Sequence, residues 1–215
     1  MARLFEFVPF KVEDHMYSNE AFAELCKDAV RAFNGTPVCG MPPPSFSGAG
    51  VYAIYCTATE GIYERYGNKA NRLGYNRPIY VGKAVPKGWR QSRTAGQSTK
   101  DSSLRGRLAK HTRTICAATD LDIEDFACRF MIFSGGSEDM IAAVEAALIA
   151  EYRPLWNTVI DGFGNNNPGK ERMSGEVPQW HILHKGVEWA KRMTGVRKSV
   201  ASIRKSVMDY MMGLS

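Results

Sequence analysis

Between residues 48 and 160 this chain lays out short β-branched and aromatic runs and two amphipathic stretches in one order: strand, strand, helix, strand, helix. Val51 to Cys56 and Ile79 to Lys83 have the Val, Ile and Tyr content of strands. Ser103 to Ile115 places Leu104, Leu108 and Ile115 on one helical face, and Ala127 to Ser134 reads as a third strand. Glu138 to Tyr152 reads as a second helix, with Ser137 as its cap, acids in its first turn and Pro154 as its stop. That order implies a small α+β core with both chain ends added to it. No internal repeat or sustained heptad suggests another architecture.

The added ends differ from the core in texture. Ser18 to Phe33 sets Phe22, Leu25, Cys26, Ala29, Val30 and Phe33 at helical spacing, with Ser18 as the expected cap and Asn34-Gly35 as the stop. Gly35 to Gly50, rich in Gly, Pro and Ser, reads as a connector. Thr57 to Pro78 is too long for a hairpin turn and reads as a partly helical insertion. Val85 to Ser102 is polar, with Trp89 as its one large apolar residue, and reads as a binding loop or a mobile segment. Past Asn157, Asp161 to Gly169 reads as a loop and Gly186 to Gly213 as largely helical. The expected division is a helical arm and linker over 1–47, a core over 48–160 with insertions at 57–78 and 85–102, and an extension over 161–215 packed on that core.

Bulk properties narrow the class. At 215 residues the chain is long enough for one well-buried core with elaborations. No apolar run approaches the roughly 20 residues that span a bilayer, so no membrane partner is expected. The start, MARLFEFVPFKVEDH, shows no basic segment followed by an apolar one, and the five cysteines are scattered with no C-x-x-C. The expectation is a cytoplasmic protein with reduced thiols. The net charge of +6 becomes informative once it is placed: Lys83 to Arg113 holds nine Lys and Arg against one acid, Asp101. A basic block of that density suggests a polyanionic substrate; the bland alternative is a solvated basic surface.

A set of polar residues falls in order along this frame: Gly50-Val51-Tyr52, Tyr80-Val81-Gly82-Lys83, Arg107 with His111, Glu145 and Asn157. Glu145 sits four after Ile141 and three before Leu148, toward the buried side of its helix. It is either a carboxylate compensated by a hard cation such as Mg²⁺, or a stripe-edge Glu that reaches solvent or an Arg. Arg107 and His111 lie four apart on the face of Leu104 and Leu108. A guanidinium there can stabilise a phosphoryl transition state and an imidazole can move a proton; a salt-bridging Arg and a capped His is the alternative. Tyr52 and Tyr80 fall on neighbouring strands, where tyrosine is commonly packing. As a base, Tyr52 would need its pKa lowered by a metal, Arg or Lys. Lys83 can supply that field or act as the base itself. Asn157 alone is an ordinary polar residue after a helix.

This ordered set resembles the GIY-YIG nuclease superfamily, with Gly50-Val51-Tyr52 and Tyr80-Val81-Gly82 as the two name motifs, then Arg107-x-x-x-His111, Glu145 and Asn157. Valine stands for isoleucine in both name motifs, and the interval between the tyrosines exceeds the roughly ten residues usual in the family. The resemblance implies a three-stranded antiparallel sheet flanked by helices. It also implies one-metal hydrolysis of DNA phosphodiesters: Tyr52, as the phenolate, activates water, His111 takes or relays its proton, Glu145 holds one Mg²⁺, Arg107 stabilises charge, Tyr80 positions phosphate or water, and Asn157 orients the site. Lys83 is the alternative base. No nucleotide cofactor is implied.

More narrowly, the chain resembles type II restriction endonucleases that cut CCGCGG, which implies double-stranded DNA as partner and a homodimer matching the site's dyad. Arg90, Arg93, Lys100 and Arg105 are the candidate DNA-binding cations. Homing or repair nucleases of the same superfamily, and a non-catalytic DNA-binding protein on this fold, are the alternatives; no helix-turn-helix or zinc signature favours a homing enzyme.

Overall fold

The computed structural model of the protein describes residues 9–86, 88–89 and 101–214. Its centre is a four-stranded antiparallel sheet of order β1-β4-β2-β3, made of β1 (Val38–Gly40), β2 (Ala49–Cys56), β3 (Tyr80–Ala84) and β4 (Phe126–Phe133). All eight residues of β2 are buried, which explains why its sequence is a continuous apolar run and not an alternation. The two-residue period still sorts its side chains. Tyr52, Ile54 and Cys56 face one cluster, with Leu104, Leu108 and Ile115 of helix α2 (Ser103–Ala117). Val51, Ala53 and Tyr55 face the other, with Val30 and Phe33 of α1 (Glu20–Gly35) and Ile141, Val144 and Leu148 of α3 (Ile141–Tyr152).

Beyond α3 the chain turns back along the free edge of β3. Helix α4 (Leu155–Thr158) carries Trp156, whose backbone N–H donates to Ile79 at 2.9 Å. Helices α5 (Gln179–Leu183), α6 (Glu188–Lys191) and α7 (Val200–Met212) follow. Phe163, Val177, Trp180, Ile203 and Val207 all join the cluster that holds Tyr52. Among the described residues no helix is long and apolar enough to cross a membrane.

Several local expectations shift. Helix α1 is capped by Asn19, whose Oδ1 accepts from Phe22 N at 3.3 Å, and not by Ser18, because Asn19 is the residue with extended backbone just before the first turn. The connector over 35–50 contributes the fourth strand, β1, which pairs Cys39 with Cys128. The expected helix over 138–152 opens as a 3₁₀ turn, Ser137–Met140. Ser137 is therefore the first residue of that turn, with Gly136 at the cap position, and the Ser137 hydroxyl donates to Ser134 O at 2.7 Å. The 186–213 stretch is helical only in α6 and α7; between them Val196 O accepts from Val177 N, a bond that holds the chain out of a helix.

The 57–78 insertion is ordered by burial as well as by two short turns, Gly61–Tyr63 and the π-type Tyr66–Ala70. Tyr63 and Tyr66 are both buried. Tyr63 Oη lies 2.6 Å from His184 Nε2, accepts from Trp156 Nε1 at 3.0 Å, and so joins insertion, α4 and extension. His184 Nδ1 in turn lies 3.1 Å from both carboxylate oxygens of Asp120. Asn71 closes the loop, donating to Cys56 O and Arg77 O and accepting from two backbone amides.

Candidate active site

Strand β2 points Tyr52 toward α2, and its register places Gly82 of β3 directly opposite. A side chain at Gly82 would overlap the Tyr52 hydroxyl, so the glycine is what lets the phenol lie across the neighbouring strand. One turn after Arg107, His111 meets that phenol: Tyr52 Oη and His111 Nε2 are 2.6 Å apart and both side chains are fully buried. Burial pushes His111 down to about 3, and the Arg107 and Lys110 charges push the same way, so the imidazole is neutral near pH 7. Burial also holds Tyr52 well above the ordinary tyrosine range; Tyr80 adds to that, while Arg107 opposes it. The lowered pKa and phenolate expected of Tyr52 are therefore not found: burial outweighs the Arg107 charge and the phenol stays protonated.

Tyr80 opens β3 on the same sheet face, its ring 6.2 Å from that of Tyr52 and edge-on to His111 at 5.3 Å. Burial raises its pKa, the Arg107 charge works against the rise and Glu145 adds to it. Arg107 is therefore the cation that both phenols share. Burial disfavours its charge, but Tyr52, Tyr80 and Glu145 outweigh burial and hold the guanidinium above its ordinary value. Its Nε is buried with no hydrogen-bond partner among the described residues.

Glu145 and Lys83 form the other half. Lys83 Nζ donates to Glu145 Oε2, joining β3 to α3, and the Glu145 side chain is only 17% exposed. The partner of this mostly buried carboxylate is thus a lysine; the alternatives of open solvent or an arginine are not what the structure shows. Asn157 uses both ends of its amide on Val81, accepting from its N–H at 2.8 Å and donating to its carbonyl at 2.9 Å. It acts as a strand partner on the open edge of β3 and fixes the segment between Tyr80 and Lys83. Arg105 lies on α2, its Nε buried and unpaired among the described residues. Arg90, Arg93 and Lys100 lie outside the described residues.

Among the described residues no group of three or more His, Cys, Asp or Glu side chains gathers to hold a metal. A site with Glu145 as its protein ligand still fits a small hard divalent ion, which keeps most of its shell as water and substrate phosphate. Glu145 is also the carboxylate whose charge reaches Tyr52, Tyr80 and Arg107.

Three neighbours of this site escaped the sequence reading. Phe163 is buried and stacks on His111, ring centroids 4.7 Å apart and 20° from parallel. Gly164 follows it, and Lys110 ties that loop to α2 by donating to Gly164 O and Asn165 O at 3.1 Å and to Asn166 Oδ1 at 2.5 Å. The only signal was one aromatic residue inside a polar, glycine-rich segment.

Residues 44–211 match the family described as the Eco29kI GIY-YIG domain. No curated protein matches the chain. The family match runs from before β2 to Met211 in α7 and includes every residue of the site. The chain belongs to the Eco29kI GIY-YIG domain family, whose members are restriction-type GIY-YIG nucleases.

Proposed function

We propose that this protein is a type II restriction endonuclease that hydrolyses double-stranded DNA at a palindromic, G/C-rich site, with CCGCGG as the suggested sequence. It works with one Mg²⁺ per active site, and as a homodimer in the cytoplasm. The observation that carries this reading is the buried 2.6 Å Tyr52–His111 pair beside the Arg107 guanidinium. Packing alone does not require a phenol, an imidazole and a cation at one buried point.

The residues divide the work as follows. Glu145 would hold a divalent ion, which would supply positive charge to offset the negative charge developing at the phosphodiester. Lys83 donates to the Glu145 carboxylate and orients it. Arg107 binds the phosphate and stabilises the charge that develops on it. Tyr52 takes a proton from the attacking water as it passes its own to His111 Nε2. His111 is neutral beforehand and so able to accept. Burial is the main cause of its low basicity; a bound phosphate would offset only the Arg107 and Lys110 charges that add to it. Tyr80 aligns water or phosphate beside Tyr52, and Asn157 holds β3 in register.

The arm (1–47), core (48–160) and extension (161–215) act in this reading as one catalytic unit, with Arg90, Arg93, Lys100 and Arg105 toward DNA. The homodimer is supported by the arm, where Phe10, Met16, Tyr17, Phe22 and Leu25 are exposed apolar residues for a second copy to cover. A second copy also supplies the second active site that symmetric cutting of a palindrome requires.

The test is purified wild type and Glu145→Gln on plasmid DNA, with Mg²⁺ and with EDTA, sequencing the ends. Discrete ends at one palindrome from wild type with metal, lost in a variant that still binds DNA, are expected. Binding without cutting in every lane would leave a DNA-binding protein on a nuclease fold.

A further inference from the structure

We infer that the 161–166 loop of the C-terminal extension is part of the catalytic apparatus, with Phe163 as the positioning residue that fixes the His111 imidazole against Tyr52. This deepens the nuclease reading and rests on it. The argument starts from what holds the His111 ring. Its Nε2 is bonded to Tyr52, but its Nδ1 is buried with no hydrogen-bond partner among the described residues. Most functional histidines have their second nitrogen held by a carboxylate or carbonyl, which sets tautomer and orientation. Here that polar tether is missing among the described residues, and one hydrogen bond leaves the ring free to rotate about it.

Packing takes its place. Phe163 lies nearly parallel to the imidazole at 4.7 Å and edge-on to Tyr80 at 4.9 Å, so one ring braces both groups that face Tyr52. Phe163 is braced in turn by Trp156 at 4.4 Å and Trp180 at 5.1 Å. Gly164 then passes so close that an added Cβ would stand 2.8 Å from His111 Cε1 and 3.1 Å from Tyr80 Oη. Its φ of +80° is a conformation that favours glycine. Lys110, one residue before His111, clamps the loop through three acceptors. A merely structural loop needs neither the close approach nor the clamp beside the catalytic histidine.

Charged and titratable neighbours of the ring are Tyr52 from β2, Tyr80 from β3, and Arg107 and Lys110 from α2. Phe163 adds no charge to this set, so its removal changes orientation and burial alone.

The experiment compares Phe163→Leu, Gly164→Ala and a control in the same core cluster, Val207→Ala. Single-turnover cleavage, DNA affinity and the His111 ring signals by NMR are read for each. Phe163→Leu and Gly164→Ala are expected to slow cleavage on the order of 10–100-fold, since a misplaced group costs that much. Affinity should stay within about threefold, a loss confined to the chemical step. The His111 signals should shift in both variants and stay in place in Val207→Ala. Cleavage within about twofold of wild type in either folded variant would overturn the inference, as would unmoved His111 signals or losses matching those of the control. If Phe163→Leu does not fold, Gly164→Ala carries the test. If the wild type cuts no DNA with any metal, the nuclease reading fails, and the His111 signals still decide whether Phe163 positions that ring.

Discussion

The molecule contains two buried tyrosine–histidine pairs with the same 2.6 Å separation, Tyr52–His111 and Tyr63–His184, and they differ in what surrounds them. The Tyr63 oxygen also accepts from Trp156, and the second nitrogen of His184 faces the Asp120 carboxylate. Every polar atom of that pair has a partner, as a structural network requires. At Tyr52–His111 the second imidazole nitrogen and the Arg107 Nε are unpaired among the described residues, and a mostly buried carboxylate stands within electrostatic reach. Side-chain identity and distance are therefore not what marks an active site here. The two pairs are told apart by their surroundings: Arg107 and Glu145 both act on Tyr52, a setting that fits a reactive pair better than a structural one, whereas unpaired buried atoms also occur at His181 and Trp180.

The largest effect that would test this contrast is on rate. Tyr52→Phe is expected to lower single-turnover cleavage by roughly 10²–10⁴-fold, the range for losing general acid–base catalysis, with the fold intact. Tyr63→Phe should leave cleavage within a few-fold. If both lose activity alike while folded, the two pairs are functionally the same and the contrast is void.

Stability should reverse that order. Tyr63→Phe strands Trp156 Nε1 and His184 Nε2 in the core, and should cost roughly 2–4 kcal/mol in urea unfolding. Tyr52→Phe strands His111 alone and should cost about half as much. Equal costs would mean that the Tyr63 network is no better satisfied than the active site.

A third prediction uses pH. His111 is pushed from 6.5 to about 3 when folded, so the unfolded chain binds its proton more readily. Its contribution is fully present above the unfolded value and is lost as pH falls from 6.5 toward 3. Between pH 7 and 5 that amounts to about 2 kcal/mol. Urea midpoints of wild type and His111→Gln at the two pH values should diverge by that amount; His181, pushed down to about 4, remains in both and cancels. Parallel pH slopes would show that His111 is not buried neutral.

The smallest effect is expected at Asp120→Asn. The Asp120 side chain is 40% exposed, so its bond to His184 is screened by solvent. The loss should stay below about 1 kcal/mol, read as a small drop in melting temperature, with cleavage unchanged.

Much of the frame was legible because it is local. The Val, Ile and Tyr runs at 51–56 and 79–83 became β2 and β3, and the Leu104, Leu108 and Ile115 stripe became the buried face of α2, since strand and helix periods are written at short range. The short strand β1 was not legible, because three residues in a Gly- and Pro-rich connector carry no period and pair only where β4 lies open. Glu145 shows the boundary within a single residue. Its place on the stripe edge was readable, but its partner Lys83, 62 positions earlier, was not.

The sequence by itself determined the element order, the five motif positions in their order, and a basic block beside them. These follow from residue type and spacing along one chain. Only the tertiary structure decided that Lys83 faces Glu145, that Asn157 serves as a strand partner for Val81, that Tyr63 is a structural twin of Tyr52, and that Phe163 rests on His111. Each of those contacts joins residues 52 to 121 positions apart. Their meeting depends on how two faces of one sheet pack, and no local pattern encodes a partner at that distance.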